Sequence, residues 1–165
     1  MGNRIAWLVL GLGTLAAGEA RAQGTAPARP EVWLQAGLGA STENLGGVVG
    51  VSVARGSHLV SARASFAAED LEGGEDEAFD VAVLFGRQLR TAGGFRPSAS
   101  AGIGYVKCEG CDDGFNAASV GLALSLEAVF WPASFAGIGI HGFGNANSIA
   151  SFAGVALTIQ VGRRR

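Results

Sequence analysis

Charged residues are scarce in this sequence, at 16% of its 165 residues, whereas an ordinary soluble protein has roughly 25%. The sequence also lacks a run of about 18 apolar residues, the minimum for a membrane-spanning helix. A net charge of −2 indicates no nucleic-acid partner, and the 27 glycines show no collagen-like period. Because 48% of the residues are hydrophobic, the chain must bury its apolar surface in another way.

The N-terminal 22 residues have the three parts of a secretory signal peptide. Arg4 provides the positive charge, Ile5–Gly18 the apolar core, and Ala20–Ala22 a small-x-small cleavage site. The apolar run is short for a membrane span, which favours a cleaved signal over an uncleaved anchor. We predict a signal peptide over residues 1–22, an extended linker over 23–31, a folded domain over 32–162 and a basic tail over 163–165.

From Val32 onward, apolar residues recur with the period of two that is typical of β-strands. We predict eight strands, at about 32–40, 47–55, 57–68, 78–90, 96–107, 117–130, 135–144 and 151–162. Their length suits strands tilted across a bilayer. Longer polar connectors (41–45, 69–77, 108–116 and 145–149) alternate with tight, turn-like ones (55–57, 90–94 and 131–134). The pattern predicts an all-β meander of antiparallel strands.

The two faces of these strands differ in chemistry. One face carries bulky aliphatic residues, and the other carries serine, glycine and glutamine, with Arg63, Asp80 and Glu127 as the charges within strands. A soluble lipocalin-like barrel would need a charged outer face, which this polar face does not provide. It suits instead the narrow lumen of eight strands, with the aliphatic face in lipid. We predict an eight-stranded antiparallel up-and-down transmembrane β-barrel.

Charges cluster beyond the strand ends. With the N-terminus in the periplasm, the longer connectors would lie outside the cell and would be acidic, with Glu43, Glu69, Asp70, Glu72, Glu75, Asp76, Glu77, Glu109, Asp112 and Asp113 against Lys107. The opposite side would be basic, with Arg55, Arg87, Arg90, Arg96, Arg163, Arg164 and Arg165 against Glu31. Six aromatic residues at strand ends fit the two girdles of such barrels: Trp33, Phe130 and Trp131 at one end, and Phe66, Phe79 and Tyr105 at the other.

With these features, the chain resembles the small bacterial outer-membrane β-barrel family, the eight-stranded type with OmpA- and OmpX-like transmembrane domains. The last strand, Phe152–Gly162, is similar to the family's C-terminal assembly signal through Gly154, Leu157 and Ile159, although Phe152 and the final GRRR depart from it. The resemblance implies a place in the bacterial outer membrane, contact with its lipids, its lipopolysaccharide and its assembly machinery, and a structural or surface-interaction role without an open pore.

Glu127 interrupts the apolar strand SVGLALSLEAVFW. A lone buried carboxylate is costly, so a lumenal Glu127 needs a partner. Arg63 is the one strand-interior cation on the polar face, and Asp80 lies on the next strand. We predict a lumenal cluster of these three residues, with Gln35, Gln88 and Gln160 as its satellites. Such a cluster is more often a plug and a stability element than a catalytic site.

His141 raises the alternative of an enzyme that modifies lipid A. In the deacylase pattern a serine stands two residues after the histidine, and here that place is Phe143. The sequence therefore offers no nucleophile in step with its base, and we expect no catalytic residues. A second alternative is a soluble, lipocalin-like periplasmic barrel that binds a small hydrophobic ligand.

Cys108 and Cys111 are the chain's two cysteines, and an exported protein meets an oxidising compartment. We predict a small disulfide between them in the third long loop. Metal binding with Asp112 and Asp113 is a weak alternative, because two thiolates without a second pair rarely define a site. No metal and no cofactor are therefore expected. Two interpretations of the acidic segment Glu69–Glu77 stay open: a site for a surface ligand, or a solvated charge run.

Overall fold

The computed structural model describes residues 29–42, 44–68, 77–109 and 117–163. The predicted signal peptide, most of the predicted linker and the last two residues of the predicted tail lie outside these ranges. The described residues form eight β-strands: β1 Glu31–Ser41, β2 Asn44–Arg55, β3 His58–Ala68, β4 Glu77–Gln88, β5 Phe95–Glu109, β6 Ala117–Phe130, β7 Ala136–Ala146 and β8 Phe152–Arg163. A 3-10 turn, Ala92–Gly94, precedes β5.

Each strand pairs antiparallel with the next strand along the chain, and β8 pairs with β1 to close the barrel. The closing register runs from Val32 opposite Arg163 to Ser41 opposite Gly154. The predicted eight-stranded antiparallel up-and-down barrel is confirmed, and each predicted strand end lies within three residues of the observed one. Closure leaves no unpaired sheet edge, which is what a strand structure needs in lipid.

Side chains alternate between the lumen and the outer wall along every strand. On β1, Trp33 and Gln35 are buried, whereas Val32 and Leu34 are exposed. The same alternation leaves a belt of exposed aliphatic residues around the whole barrel, which includes Val49, Val60, Val83, Ile103, Leu122, Ile140 and Leu157. Apolar patches of this extent mark a membrane-facing or partner-facing surface. The predicted orientation, with the aliphatic face outward, is confirmed.

No helix among the described residues is both long enough and apolar enough to cross a membrane.

The first connector is tighter than we expected. Residues 41–45 were predicted to form a longer polar connector, but β1 continues to Ser41 and β2 begins at Asn44, which is paired with Ser41. Asn44 has a positive φ of 108°, a region that Asn enters more readily than most residues. The side with longer connectors therefore contains one tight hairpin.

Two of the six aromatic residues assigned to the membrane girdles face the lumen instead. Trp33 and Trp131 are 1% and 8% exposed. Neighbouring glycines leave the necessary space: a Cβ on Gly137 would lie 2.7 Å from Cε2 of Trp131, and one on Gly162 would lie 2.5 Å from Cβ of Trp33. Among the described residues, the aromatic side chains exposed at this end are those of Phe95, Phe130 and Phe135. At the other end they are those of Phe79 and Tyr105, with Phe66 half-buried.

Candidate functional site

Apolar side chains fill the lumen near both of its ends. We call the end where β1 begins and β8 ends the lower end, and the opposite end the upper end. The lower cluster consists of Trp33, Ala54, Leu59, Val129 and Trp131. The upper cluster consists of Val48, Ala67, Ala78, Val106, Cys108, Phe143, Phe152 and Ala156. The buried polar residues of the lumen lie mainly between these two clusters.

Arg63 on β3 is the centre of the first polar group, which we call the arginine network. Its Nη2 lies 2.9 Å from Oδ2 of Asp80, and both side chains are fully buried. The guanidinium also reaches across the lumen: Nη1 donates to the carbonyl of Leu124 at 2.6 Å, and Nη2 donates to that of Gly144 at 3.3 Å. Such additional hydrogen bonds are what a buried ion pair needs to offset its desolvation.

Asp80 on β4 is held by three donors. It lies directly opposite Ser65 and diagonal to Arg63 in the β3–β4 register, so side chains of both residues can reach it. It accepts hydrogen bonds from the Ser65 hydroxyl and from Nδ2 of Asn145, the latter at 3.1 Å. Gly104 on β5 provides the space, since a Cβ there would lie 2.9 Å from Oδ2 of Asp80.

Glu127 on β6 is the centre of the second polar group, which we call the glutamate network. It lies directly opposite Ser98 on β5 and His141 on β7. Its Oε2 accepts hydrogen bonds from Nε2 of Gln160 at 3.1 Å and from the hydroxyl of Ser98 at 3.4 Å. Gln160 also donates to Oε1 of Gln35, its direct neighbour across the β1–β8 seam, at 3.0 Å.

His141 is fully buried within the glutamate network. Its Nδ1 lies 3.3 Å from Nε2 of Gln35 and 3.6 Å from Oε1 of Glu127. Its Nε2 lies 2.5 Å from the hydroxyl of Ser125. Serine, histidine and carboxylate therefore meet in the order of a catalytic triad.

The sequence was searched for a nucleophile along β7, two residues after His141, where Phe143 stands. Ser125 comes instead from the neighbouring strand β6. A signal was present in the sequence: Ser125 and Glu127 share the lumenal face of one strand, and the strand that carries His141 follows it. The sequence does not specify the register that brings these side chains together.

The structure places the six residues of the predicted lumenal cluster in three locations. Arg63 and Asp80 form the arginine network, and Glu127, Gln35 and Gln160 belong to the glutamate network. Gln88 is instead near the lower end, where its Nε2 donates a hydrogen bond to the carbonyl of Gly56 at 3.4 Å. Glu127 does not join the arginine network for two reasons. The strand register sets it opposite His141 and Ser98, and Asp80 already compensates the charge of Arg63.

The predicted disulfide falls partly within the described residues. Cys108 is fully buried in the upper cluster and is disulfide-bonded. Cys111 lies outside the described residues, as do Asp112, Asp113 and the acidic residues 69–76. The pairing of Cys108 with Cys111 and the role of the acidic segment stay predictions.

No protein-family model matches the chain, and no curated protein matches its sequence. Solved structures do match it. The N-terminal β-barrel domain of Pseudomonas aeruginosa OprF has a TM-score of 0.61 at 10% identity, with 83% of this chain and 99% of that chain covered. Neisserial surface protein A has a TM-score of 0.54 at 7% identity, over 80% and 94% of the two chains. The outer-membrane enzyme PagL has a TM-score of 0.54 at 16% identity, over 78% and 98%.

The fold is that of the small eight-stranded outer-membrane β-barrels. The resemblance inferred from the sequence is confirmed at the level of the fold. These neighbours also agree with the predicted localisation in the bacterial outer membrane. They include both an enzyme and a surface protein by name, so the likeness by itself assigns no activity.

Proposed function

We propose that the chain is a closed, non-enzymatic barrel of the outer membrane, with a structural or surface-interaction role in the cell envelope. The observation that carries this proposal is the packing of the lumen. Two hydrogen-bonded polar networks lie between the lower and upper apolar clusters. An ion that crossed the lumen would have to lose its water among apolar side chains, which is costly. This arrangement supports a plug and not a pore.

The proposed partners follow from the outer surface. The belt of exposed aliphatic residues supports contact with outer-membrane lipids and lipopolysaccharide. The last strand supports recognition by the assembly machinery, through its similarity to the family's C-terminal signal. The segments that join β3 to β4 and β5 to β6 are acidic in sequence, which supports a surface ligand at the upper end.

The test of the closed lumen is conductance across a planar bilayer. The refolded protein, with its folded state checked by heat-modifiable gel migration, is expected to give no channel openings. Trp131→Ala opens the lower cluster alone, and it is also expected to stay silent because the upper cluster and both networks remain in series. Steady openings by the parent protein would contradict the proposal. Solubility without detergent would instead favour the lipocalin-like alternative.

An enzyme acting on lipid A is the second candidate function, and the contacts of His141 with Ser125 and Glu127 favour it. The similarity to the outer-membrane enzyme PagL points the same way. Two features weigh against it. All three side chains are buried in the lumen, where a lipid cannot approach them, and Gln35 competes with Glu127 for Nδ1 of the histidine.

A fluorophosphonate probe separates the two candidates, because it labels only an activated and accessible serine. We expect no labelling of the folded protein, and no change in the mass spectrum of lipid A between cells that express the parent and cells that express His141→Ala. Labelling that is lost in Ser125→Ala, together with altered lipid A, would establish the enzyme instead.

A further inference from the structure

An ion-pair bridge spans the lumen at the lower end of the barrel. Glu31 is the first residue of β1 and is buried in the lumen. Arg96 is the second residue of β5, and Arg90 belongs to the connector that joins β4 to β5. Nη2 of Arg90 lies 2.8 Å from Oε1 of Glu31, and Nη1 of Arg96 lies 3.5 Å from Oε2 of Glu31. We call these three residues the ion-pair latch.

The latch joins opposite walls of the barrel. In the closed strand order, β1 and β5 are equally far apart in both directions, so no backbone pairing holds their lower ends together. The latch also borders the lower cluster on both walls. Glu31 is directly opposite Ala54 on β2, and Arg96 is directly opposite Val129 on β6. The three side chains therefore span the mouth of the lumen next to that apolar cluster.

Solvent exposure increases along the latch from the carboxylate to its partners. The side chains of Glu31, Arg96 and Arg90 are 4%, 18% and 45% exposed. The carboxylate is thus buried, whereas its nearer partner lies half in water. The pair of Arg63 and Asp80 differs, because both of its side chains are fully buried. Water and salt weaken an ion pair that they can reach, so they act on the latch and not on the arginine network.

One of the two contacts of the latch is incomplete. Oε2 of Glu31 and Nη1 of Arg96 are both buried, and neither has a hydrogen-bond partner among the described residues. They face each other at 3.5 Å, which is within range of an ion pair. Buried polar atoms that make no hydrogen bond are costly. This cost lowers the free-energy difference between the closed latch and an open one in which water reaches these atoms.

We propose that the ion-pair latch is a salt-sensitive closure of the lower lumen, and that it opens to admit water and small neutral solutes to the lower cluster. When Arg90 separates from Glu31, its guanidinium moves into water, and the mouth loses the contact that crosses it. The upper cluster and the arginine network stay in place, so the barrel remains closed to ions. The latch goes beyond the proposed function, which holds whether or not the latch opens.

Tryptophan fluorescence measures the opening of the latch. The tryptophans of the chain are Trp7, Trp33 and Trp131, so Trp7→Phe leaves the two that belong to the lower cluster. In the refolded protein with this substitution, which serves as the parent, the small neutral quencher acrylamide is expected to quench weakly. Glu31→Gln and Arg90→Gln each remove the closer ion pair, and each is expected to raise the Stern–Volmer constant roughly two- to five-fold.

Salt gives a readout that a merely structural role would not move. Added sodium chloride is expected to raise the quenching of the parent towards that of Glu31→Gln, because screening weakens the ion pair. The variant itself is expected to be insensitive to salt, since its carboxylate is gone. Heat-modifiable gel migration checks the folding of each variant. Arg90→Gln, whose side chain is half exposed, carries the test if Glu31→Gln does not fold.

Arg55→Gln is the matched control. Arg55 is at the same end of the barrel but is exposed on the outer wall, so its loss removes the same charge without changing the lumen. Its quenching is expected to equal that of the parent. The proposal is overturned if the latch variants quench like the parent, if Arg55→Gln raises quenching equally, or if salt does not raise the quenching of the parent. Channel openings in the bilayer experiment would instead contradict the proposed function, so the two failures are distinguishable.

Discussion

Arg63 carries a positive charge into the middle of the barrel, and its neighbours explain how the fold tolerates it. The guanidinium has Asp80 on one side and two backbone carbonyls on the other. The ring of Phe143 lies 6.0 Å from its Cζ, within reach of a cation–π contact. Removing either charge alone would leave its partner buried and uncompensated.

Arg63→Ala is expected to lower the free energy of unfolding by about 3–5 kcal/mol, because it leaves the Asp80 carboxylate buried without its cation. Equilibrium unfolding in urea, in detergent micelles, measures the change. The double variant Arg63→Met with Asp80→Leu is the control, since it leaves no unpaired charge and is expected to recover most of the loss. Equal stability of Arg63→Ala and the parent would mean that the ion pair contributes nothing.

At the scale of elements, the β2–β3 turn shows how local backbone geometry sets the register of two strands. Gly56 has a φ of +65°, which suits the first central position of a two-residue hairpin turn of type II′. The register continues from Arg55 opposite His58 to Leu45 opposite Ala68. Since a shift of one residue would exchange the lumenal and lipid faces, this turn helps to keep Arg63 in the lumen.

Gly56→Ala is expected to cost about 1–2 kcal/mol of stability, because a residue with a Cβ is strained at this φ. Gly142→Ala is the matched control. A Cβ at Gly142 would meet its nearest neighbour, the carbonyl oxygen of Leu126, at an ordinary 3.8 Å, so its effect should be close to zero. Urea unfolding of both variants checks the difference, and equal stability of the two would refute the role given to the turn.

At the scale of the whole molecule, the barrel is an apolar belt around a lumen that apolar side chains fill at both ends and polar networks fill in between. Val83 lies in the middle of β4 and is half exposed, whereas Ala40 lies near the upper end of β1 and is also exposed. Both face outward, so they differ mainly in the depth at which a substituted side chain would meet the lipid.

Val83→Arg is therefore expected to destabilise the barrel in phospholipid vesicles by about 2–4 kcal/mol, and Ala40→Arg by about 0–1 kcal/mol. Unfolding by guanidinium chloride in the same vesicles measures both values. The pair is its own control, because the same charge is added at two depths. Similar effects at the two positions would mean that the belt is not centred in the hydrocarbon.

The sequence predicted which polar residues face the lumen, but it did not predict how they group there. Alternation identified Arg63, Asp80, Glu127, Gln35 and Gln160 as inward-facing, and all five are buried. It could not divide them into two networks, since their partners come from strands that are distant in the sequence. It also placed Gln88 with them, because parity alone does not tell the two ends of a lumen apart.

The sequence by itself determined the strands, their number, the transmembrane barrel and the direction in which each face points. It could do so because hydrophobic alternation acts within a single strand and needs no partner. Only the tertiary structure decided that Ser125 meets His141, and that Trp33 and Trp131 face the lumen and do not anchor in the interface. The physical reason is closure: the space inside exists once β8 pairs with β1, and glycines such as Gly137 and Gly162 then determine which large side chains fit.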